Sequence, residues 1–223
     1  MANIVITGAN KGIGLALAQQ FSEQGDSVTA ICRNSSHEIE DVADQVISGI
    51  DLTNEEMIPG VCSLVDQLTE GRVDCLINNA GLLISDKLNQ VELSSVRQQL
   101  AINTIAPLAL TQGLLPLLPS GSKVINITSR MGSIEDNTSG AFYGYRASKA
   151  ALNAIGKSLA IDLKEHGIAV AQIHPGFVST EMVNHMGEIT PEAAATGIKQ
   201  RIDQLDLNHS GVFWHADGST LAW

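Results

Sequence analysis

Two side chains of complementary chemistry, Tyr145 and Lys149, lie four positions apart just before the apolar run ALNAIGKSLAIDL. Small and apolar residues recur here at a spacing of four, which predicts a helix with one apolar stripe. The predicted stripe consists of Ala147, Ala151, Ile155, Leu159 and Leu163. At about 100° per residue, four positions make about 400°, so the phenol and the ammonium leave the same face. Tyr143, six positions before Lys149, is predicted to lie on another face.

This pair suits proton transfer at neutral pH. The pKa of a free phenol is about 10, which is too high for ready exchange. A fixed cation beside the phenol stabilises the phenolate, by about 1.4 kcal/mol for each unit of pKa. The spacing therefore predicts a general acid/base in which Lys149 lowers the pKa of Tyr145. The same spacing also occurs on solvated helix surfaces, so the interpretation depends on the surrounding elements.

The elements around the pair alternate between strands and helices. Strand-like runs are predicted at residues 4–7, 27–32, 45–50, 75–78, 123–128, 169–174 and 212–214. Most of these runs are continuously apolar, as expected for a parallel sheet with both faces covered. Together with the amphipathic segments between them, they predict one α/β domain over residues 1–223. The expected fold is of the Rossmann type, a doubly wound, mostly parallel seven-stranded sheet with helices on both faces.

Composition narrows the class of protein. The 223 residues are 44% hydrophobic, and 24 acidic against 13 basic residues give a net charge of -11. That charge disfavours nucleic acid and anionic membranes, since both select for Lys and Arg. The most apolar stretch, residues 100–118, is broken by polar residues and prolines, and no apolar leader precedes the first strand. Three cysteines without C-x-x-C spacing favour reduced thiols. We expect a soluble, cytoplasmic protein without a metal site.

A glycine-rich turn follows the first strand. Gly8, Gly12 and Gly14 stand between that strand and a helix with Leu17 and Phe21 on one face. Glycines let the backbone approach a pyrophosphate, whose charge is met by the N–H groups of the helix start. The spacing is G-x-x-x-G-x-G rather than G-x-G-x-x-G, and it predicts dinucleotide binding.

The end of the second strand indicates which dinucleotide binds. A carboxylate there would bind the ribose 2′-OH of NAD and repel a 2′-phosphate. This chain has Cys32 and then Arg33, and a second cation, Lys11, lies inside the glycine loop. Two cations and no acid favour NADP(H). The alternative for Arg33 is a solvated loop cation.

These motifs occur together in one known family. The ordered set is Thr7-Gly8-Ala9-Asn10-Lys11-Gly12-Ile13-Gly14, Asn78-Asn79-Ala80-Gly81, Asn103, Ser129, Tyr145-x-x-x-Lys149 and Pro175-Gly176. Over essentially its whole length the chain resembles the classical short-chain dehydrogenase/reductase family. The segments NKGIG, ITSRMGSI, YRASKAALN and SGVFWHADGSTLAW resemble its C-factor-like branch, close to NADPH-dependent carbonyl reductases.

The resemblance implies a role for each catalytic candidate. Tyr145 would protonate the substrate oxygen while hydride leaves the nicotinamide. Lys149 would lower the pKa of that phenol and bind the nicotinamide ribose. Ser129 would hold the carbonyl oxygen, and Asn103 would anchor a water that links Lys149 to solvent.

The resemblance also implies the cofactor contacts. Asp51 and Leu52 would meet the adenine, and the loop from Asn79 to Gly81 would pass the adenosine ribose. The remaining expected cofactor contacts are Gly8, Asn10, Lys11, Gly12, Ile13, Gly14, Arg33, Ala80, Tyr145, Lys149, Pro175, Gly176, Val178 and Thr180.

Four of these assignments have alternatives. Asn103 could kink or cap its helix, Asp51 could be a turn residue, and the asparagines at 78 and 79 could tie strands together. Ser133, twelve residues before Tyr145, competes with Ser129, which is sixteen before it. Ser129 is preferred because it directly follows the strand KVINIT and begins S-x-x-G, which leaves a small insertion at residues 135–139.

The expected function is NADPH-dependent reduction of a small aldehyde, ketone or diketone. An apolar cleft is predicted from Ile84, Met131, Phe142, Phe177, Met182 and Met186, each of which could instead be a core residue. A short lid is expected at about residues 181–196. The alternative function is a C-factor-like signalling or sensor protein that binds NADP(H) with little turnover.

Assembly is predicted from two helices with few charged residues. The helix of Tyr145 carries only Lys157 and Asp162 between residues 150 and 163, and a preceding helix is predicted over residues 96–118. Both helices lack a wide polar face, so a second subunit is expected to cover them. A homodimer or homotetramer is therefore expected.

Overall fold

A computed structural model describes all 223 residues, and its centre is one parallel sheet. The strands are β1 (Asn3–Thr7), β2 (Ser27–Ile31), β3 (Gln45–Ile47), β4 (Cys75–Asn78), β5 (Lys123–Ile127), β6 (Ala169–His174) and β7 (Val212–His215). Their order is β3-β2-β1-β4-β5-β6-β7, and every neighbouring pair is parallel. The predicted seven-stranded Rossmann-type fold is confirmed.

Seven α-helices cover the two faces of this sheet. They are α1 (Gly12–Glu23), α2 (His37–Val42), α3 (Ile58–Leu68), α4 (Leu93–Leu100), α5 (Ala106–Leu114), α6 (Tyr143–Asp162) and α7 (Pro191–Gln204). Alternate strand residues enter different cores: Ile4 and Ile6 pack with α1 and α7, whereas Val5 packs with α3 and α5. Both faces are therefore apolar, which explains the continuous apolar strands.

The strand order reverses between β1 and β4. Such a switch point opens a crevice at the carboxyl ends of the strands, where α/β proteins bind ligands. The glycine loop follows β1 at this edge, and the Asn79–Gly81 segment follows β4. The fold thus brings two predicted cofactor segments side by side.

The predicted helix over residues 96–118 is a helical stretch from Leu93 to Leu117. It consists of α4, a π-helical segment (Ala101–Ile105), α5 and a 3₁₀ turn (Leu115–Leu117). By length and composition the stretch could span a membrane: an 18-residue window in it has a mean hydropathy of 1.4, and 44% of that window is buried inside the protein. It also carries buried, hydrogen-bonded polar side chains, Asn103 and Thr104 among them, as a core helix does.

The predicted apolar stripe of α6 is not its buried face. Ala147 is exposed, and the next three stripe residues are only half-buried. The buried residues of α6 are Gly144, Tyr145, Ser148, Lys149, Leu152, Asn153, Gly156 and Ala160. The sheet surface beneath them carries the polar side chains of Asn126, Thr128 and Gln172. Small and polar residues of α6 therefore face the sheet, and the apolar stripe lies to one side.

The predicted lid segment, residues 181–196, consists of two structurally different parts. A 3₁₀ turn (Glu181–Val183) and the loop after it cover residues 181–190, but residues 191–196 belong to α7. Ala194 and Ala195 in that helix are fully buried against the core that contains α1. Their packing fixes α7 to the body of the protein, so the first ten residues of the predicted segment are the part that lies outside this helix.

Close contact between α6 and the sheet yields a stability prediction. A methyl group on Gly156 would lie 1.9 Å from Nε2 of Gln172, a buried side chain. Gly156→Ala should therefore lower the free energy of unfolding by about 1–3 kcal/mol through overpacking. Gly60→Ala in α3, where nothing lies within 4 Å, is the control and should raise it by about 0.5–1 kcal/mol. Chemical denaturation measures both, and an unchanged stability for Gly156→Ala would contradict the packing.

Candidate active site

The candidate site is built at the carboxyl end of β5. Ser129 follows this strand, is buried, and accepts a hydrogen bond from the Met131 N–H at 3.1 Å. That bond starts the 3₁₀ turn Arg130–Gly132. Gly132 lets the turn rest on α6, since a methyl group there would lie 2.7 Å from the carbonyl carbon of Lys149. The turn and the helix are thereby held together.

The structure brings Tyr145 and Lys149 to this turn. Both side chains are buried, and Nζ of Lys149 lies 5.9 Å from the centre of the Tyr145 ring. The ammonium donates a hydrogen bond to the main-chain oxygen of Ile127 at 2.8 Å. Tyr143 is 42% exposed and points elsewhere, because two residues of helix turn it by about 200° from Tyr145.

Burial sets the electrostatics of the pair. It raises the pKa of Tyr145 to about 12, and the neighbouring Ser129 hydroxyl opposes that rise. Burial also lowers the pKa of Lys149 to about 8. The prediction that Lys149 lowers the pKa of Tyr145 is wrong for the protein alone. The loss of contact with water is the larger cause of the shift, and the opposing contribution comes from the Ser129 hydroxyl.

Ser133, the rival serine, serves another purpose. Its hydroxyl donates to the main-chain oxygen of Trp223 at 3.2 Å and accepts from the Asp136 N–H at 3.1 Å. Both contacts hold the chain around the insertion. Of the two serines, only Ser129 lies beside the phenol of Tyr145.

Asn103 lies within the π-helical segment and is fully buried. Its Oδ1 accepts the Leu82 N–H at 2.8 Å, while its Nδ2 donates to the Leu82 oxygen at 2.8 Å and to Oγ of Ser148 at 2.9 Å. A methyl group on Gly81 would contact both Oδ1 of Asn103 and Nζ of Lys149. Asn103 thus does distort its helix, as π-segments at functional sites often do, and it lies near Lys149.

The asparagines at the end of β4 tie strands together. Nδ2 of Asn78 donates to Oδ1 of Asn126 at 3.0 Å, and Nδ2 of Asn79 donates to the main-chain oxygens of Thr7 and Gly8. Because its side-chain nitrogen and its main-chain N–H both already donate hydrogen bonds, Asn79 can offer a ligand only its main-chain oxygen and its Oδ1.

The glycine loop fits a dinucleotide pyrophosphate. Gly8 and Gly12 have φ of 64° and 57°, and a methyl group on Gly14 would lie 2.3 Å from the Gly8 oxygen. The helix α1 begins without a side-chain cap and has no acidic residue in its first turn. Its N–H groups and positive dipole end are therefore available to an anion. Asn10 and Ile13 flank the same turn.

The predicted adenine end carries one free cation. Arg33 is exposed at the end of β2, after the buried Cys32, and it contributes to holding the pKa of Asp51 low. The main cause of that low pKa is hydrogen bonding from Thr53, so Asp51 does shape a turn. Leu52 beside it is buried. The second predicted cation, Lys11, instead forms an ion pair with Glu181 of the lid.

The segment predicted to contact the nicotinamide, residues 175–180, lies between the glycine loop and the predicted lid. After Pro175, a methyl group on Gly176 would lie 2.9 Å from Cδ1 of Ile189, and Val178 pairs with Ile189 by a β-bridge. Thr180 approaches the loop from the other side, 3.3 Å from the place of a methyl group on Gly12. The segment therefore closes one side of the cofactor cleft.

The apolar side chains expected to line the cleft remain partly open to solvent. Phe177 is 46% exposed, Met182 44% and Met186 66%, while Ile84, Met131 and Phe142 are half-buried. Exposed large apolar groups of this kind mark a binding surface more often than a core.

Sequence reasoning missed two buried residues beside the site. Asp86, in the loop after β4, accepts hydrogen bonds from the start of α6, and Gln99 in α4 accepts the Ile84 N–H at 2.9 Å. Neither belongs to a motif, and their partners are far away in sequence. No sequence signal singles out Gln99, which follows Arg97 and Gln98 in α4.

Comparisons with known proteins agree with this geometry. A family model described as short chain dehydrogenase matches residues 2–190. The 1-hydroxy-2-glutathionyl-2-methyl-3-butene dehydrogenase of Rhodococcus sp. is 36% identical, over 100% of both chains. The C-signal protein of Myxococcus xanthus is 38% identical, over 69% of this chain and 94% of its own. An NADPH-bound carbonyl reductase from chicken fatty liver superposes with a TM-score of 0.91 at 29% identity, covering 100% of this chain and 99% of that one.

The buried ammonium yields a pH prediction. The pKa of Lys149 is about 8 in the folded protein against 10.5 ordinarily, so between these values the unfolded chain binds more protons. The free energy of unfolding should therefore rise with pH across this window, by about 3 kcal/mol more in the wild type than in Lys149→Met. Below about pH 10 the phenol of Tyr145 stays protonated in both proteins, so the difference between them there reports on Lys149. Urea denaturation at several pH values measures this, with Lys164→Met at an exposed lysine as the control. Parallel curves for wild type and Lys149→Met would contradict it.

Proposed function

The chain belongs to the short-chain dehydrogenase/reductase family, and on that premise we propose that it is an NADPH-dependent reductase of small aldehydes, ketones or diketones. The observation that carries the proposal is the buried cluster of Ser129, Tyr145 and Lys149 at the end of β5. A protein that only bound a dinucleotide would have no need of a buried phenol beside a serine hydroxyl.

Each member of the cluster has one task in the proposed reaction. The Ser129 hydroxyl donates a hydrogen bond to the carbonyl oxygen of the substrate, and the Tyr145 phenol transfers its proton to that oxygen. Bound NADPH would supply the hydride to the carbonyl carbon. The ammonium of Lys149 then stabilises the phenolate, because opposite charges attract strongly in a site shielded from water.

At neutral pH the Tyr145 phenol carries the proton that a general acid must donate. With its pKa raised to about 12, Tyr145 holds its proton at neutral pH until a substrate oxygen gains negative charge. Asn103 is proposed to hold a water that returns a proton from solvent by way of Lys149. The support for this role is the shared approach of Oδ1 of Asn103 and Nζ of Lys149 to Gly81.

The cofactor is proposed to lie along the carboxyl edge of the sheet. Its pyrophosphate would rest on the glycine loop and the start of α1. Arg33 would bind the 2′-phosphate that distinguishes NADPH from NADH. The adenine would meet Asp51 and Leu52, and its ribose the main chain of residues 79–81. The nicotinamide would lie against Pro175, Gly176, Val178 and Thr180, as the family resemblance implies.

The open, apolar cleft supports a small substrate. The segment that would cover it, residues 181–190, is only ten residues long, and Met182 and Met186 within it are exposed. We place the protein in the cytoplasm, in line with its acidic charge and free cysteines.

A second candidate function is a signalling or sensor protein that binds NADP(H) with little turnover. The likeness to C-signal favours this alternative. Mixing the protein with NADPH and a panel of small carbonyls, and following the absorbance of reduced nicotinamide, separates the two. Turnover of one or more carbonyls supports the reductase, whereas tight NADPH binding without turnover supports the sensor.

The first variant to test is Tyr145→Phe. It removes the transferable proton and little else, so turnover should fall by about 10²–10⁴. The affinity for NADPH, measured by fluorescence titration, should stay within about twofold, because no ring atom is lost. Tyr143→Phe on the exposed side of α6 is the matched control and should keep wild-type activity. Full activity in Tyr145→Phe would refute the assignment.

A second variant tests the choice of cofactor. Arg33→Ala should weaken NADPH binding by about 1.5–3 kcal/mol, the range for a lost charge-assisted contact. NADH binding should change far less, since NADH lacks the 2′-phosphate. Arg72→Ala, at the opposite edge of the sheet beside Asp74, controls for the loss of one positive charge. An unchanged preference between NADPH and NADH in Arg33→Ala would leave Lys11 as the remaining candidate.

A homodimer or homotetramer is proposed through α5 and α6. Leu108 of α5 is 37% exposed, and Ile161 of α6 is 64% exposed. The small residue Ala154 of α6 is exposed as well. Light scattering behind a sizing column should give a multiple of the 23.6 kDa chain mass. Ala154→Arg should dissociate the assembly, because it places a charge in an apolar contact. A single species of chain mass for the wild type at micromolar concentration would disprove this.

A further inference from the structure

A single carboxylate reaches from the loop after β4 to the start of α6. Asp86 is 6% exposed, and its Oδ1 accepts the Tyr143 N–H at 2.6 Å. Its Oδ2 accepts the Gly144 N–H at 3.3 Å, and its main-chain oxygen accepts the Phe142 N–H at 3.0 Å. One residue therefore binds three successive N–H groups, and the next residue in the chain is Tyr145.

The helix has no local cap that could replace these bonds. Phe142 stands at the N-cap position with φ of 53° and ψ of 41°, and its side chain makes no capping hydrogen bond. Ala141 before it also has φ of 53°. Two successive L-residues in the left-handed region are unusual. The start of α6 is thus held by a residue 57 positions earlier in the chain.

The loop that carries Asp86 is itself fixed in place. Oε1 of Gln99, a fully buried residue of α4, accepts the Ile84 N–H at 2.9 Å. The first turn of α6 presses on the same helix, since a methyl group on Gly144 would lie 2.5 Å from Nε2 of Gln99. Loop, α4 and α6 therefore form one braced unit just before the phenol.

We propose that Asp86 is a positioning residue, which fixes where α6 begins and so holds the Tyr145 phenol against Ser129 in a site closed to water. The catalytic part of this proposal rests on the proposed function, because that function makes Tyr145 the acid. The structural part, that Asp86 holds the start of α6, can be tested without measuring turnover. Without the carboxylate, the left-handed turn at residues 141–142 loses its restraint, and the first turn of α6 can open.

The test uses the full chain and two readouts that need no substrate. The first is amide hydrogen exchange in the peptide that contains Tyr143 to Arg146. Loss of a helix cap makes opening about 5–30-fold more frequent, so exchange there should be faster by that factor in Asp86→Ala. In Asp86→Asn, which keeps one acceptor, the effect should be smaller.

The second readout is the titration of the phenol itself. The chain has two tyrosines, so in a Tyr143→Phe background ultraviolet absorbance reports on Tyr145 alone. Burial raises its pKa to about 12 in the wild-type arrangement. Adding Asp86→Ala should bring the pKa down toward the ordinary value of about 10 as water enters, and Asp86→Asn should restore most of the difference.

Asp74→Ala provides the matched control. That carboxylate also holds a main-chain group, the Asn3 N–H at 2.9 Å, but at the opposite edge of the sheet. It should lower overall stability and leave both readouts at Tyr145 unchanged. If carbonyl reduction is found in the wild type, Asp86→Ala should lower kcat by about 10–100-fold with the dissociation constant of NADPH unchanged.

Failure of this proposal can be distinguished from failure of the proposed function. A folded Asp86→Ala protein with wild-type exchange and wild-type phenol titration overturns the proposal, whatever the activity assays give. A shift in both readouts supports it, even if no carbonyl is turned over and the proposed function fails. Should Asp86→Ala not fold, Asp86→Asn carries the test, with faster exchange confined to the start of α6 in support and unchanged exchange against.

Discussion

The candidate site depends on how closely α6 approaches its surroundings. Three glycines mark the contacts: Gly132 beneath Lys149, Gly144 against Gln99, and Gly156 against Gln172. A methyl group at any of them would come within 2.7 Å of a neighbouring atom. Because the helix lies this close, Tyr145 and Lys149 are buried at the sheet edge rather than solvated beside it.

That burial decides the chemistry that the pair can perform. A phenol and an ammonium in water would have pKa values set by their own structure, and proximity alone would favour the ionised pair. In the protein, burial favours the neutral form of each, so Tyr145 keeps its proton and Lys149 gives one up more readily. In the protein alone, therefore, Tyr145 is protonated at neutral pH, and Lys149 is held closer to neutrality than a lysine in water.

One ion pair connects the glycine loop to the segment that follows β6. Lys11 of the glycine loop pairs with Glu181, and Thr180 lies close enough to Gly12 that a methyl group there would be 3.3 Å from its side chain. The far side of the lid is continuous with α7, whose buried alanines attach it to α1. The cover is thus short and tethered at both ends, while its apolar side chains stay partly open. This arrangement suits a cleft that admits small molecules without a large closing motion.

Short-range periodicity determined the parts that the sequence could predict. Continuous apolar runs identified the strands because both faces of this sheet are covered, and the glycine loop was read from its place between strand and helix. The relation of Tyr145 to Tyr143 and Lys149 follows from the helical period, which needs no knowledge of neighbours. The fold class was therefore accessible from the chain alone, whereas most of the candidate site residues came from the resemblance to a known family.

Tertiary contacts decided the rest. Which face of α6 is buried depends on the polar side chains of β5 and β6 beneath it. The apolar stripe therefore did not identify the buried face. The direction of the Tyr145 pKa depends on exclusion of water, and the role of Ser133 on where Trp223 docks. Asp86 caps a helix 57 residues away. Spacing along a chain carries no information on such pairings, because residues distant in sequence become neighbours only when the sheet and its helices close around them.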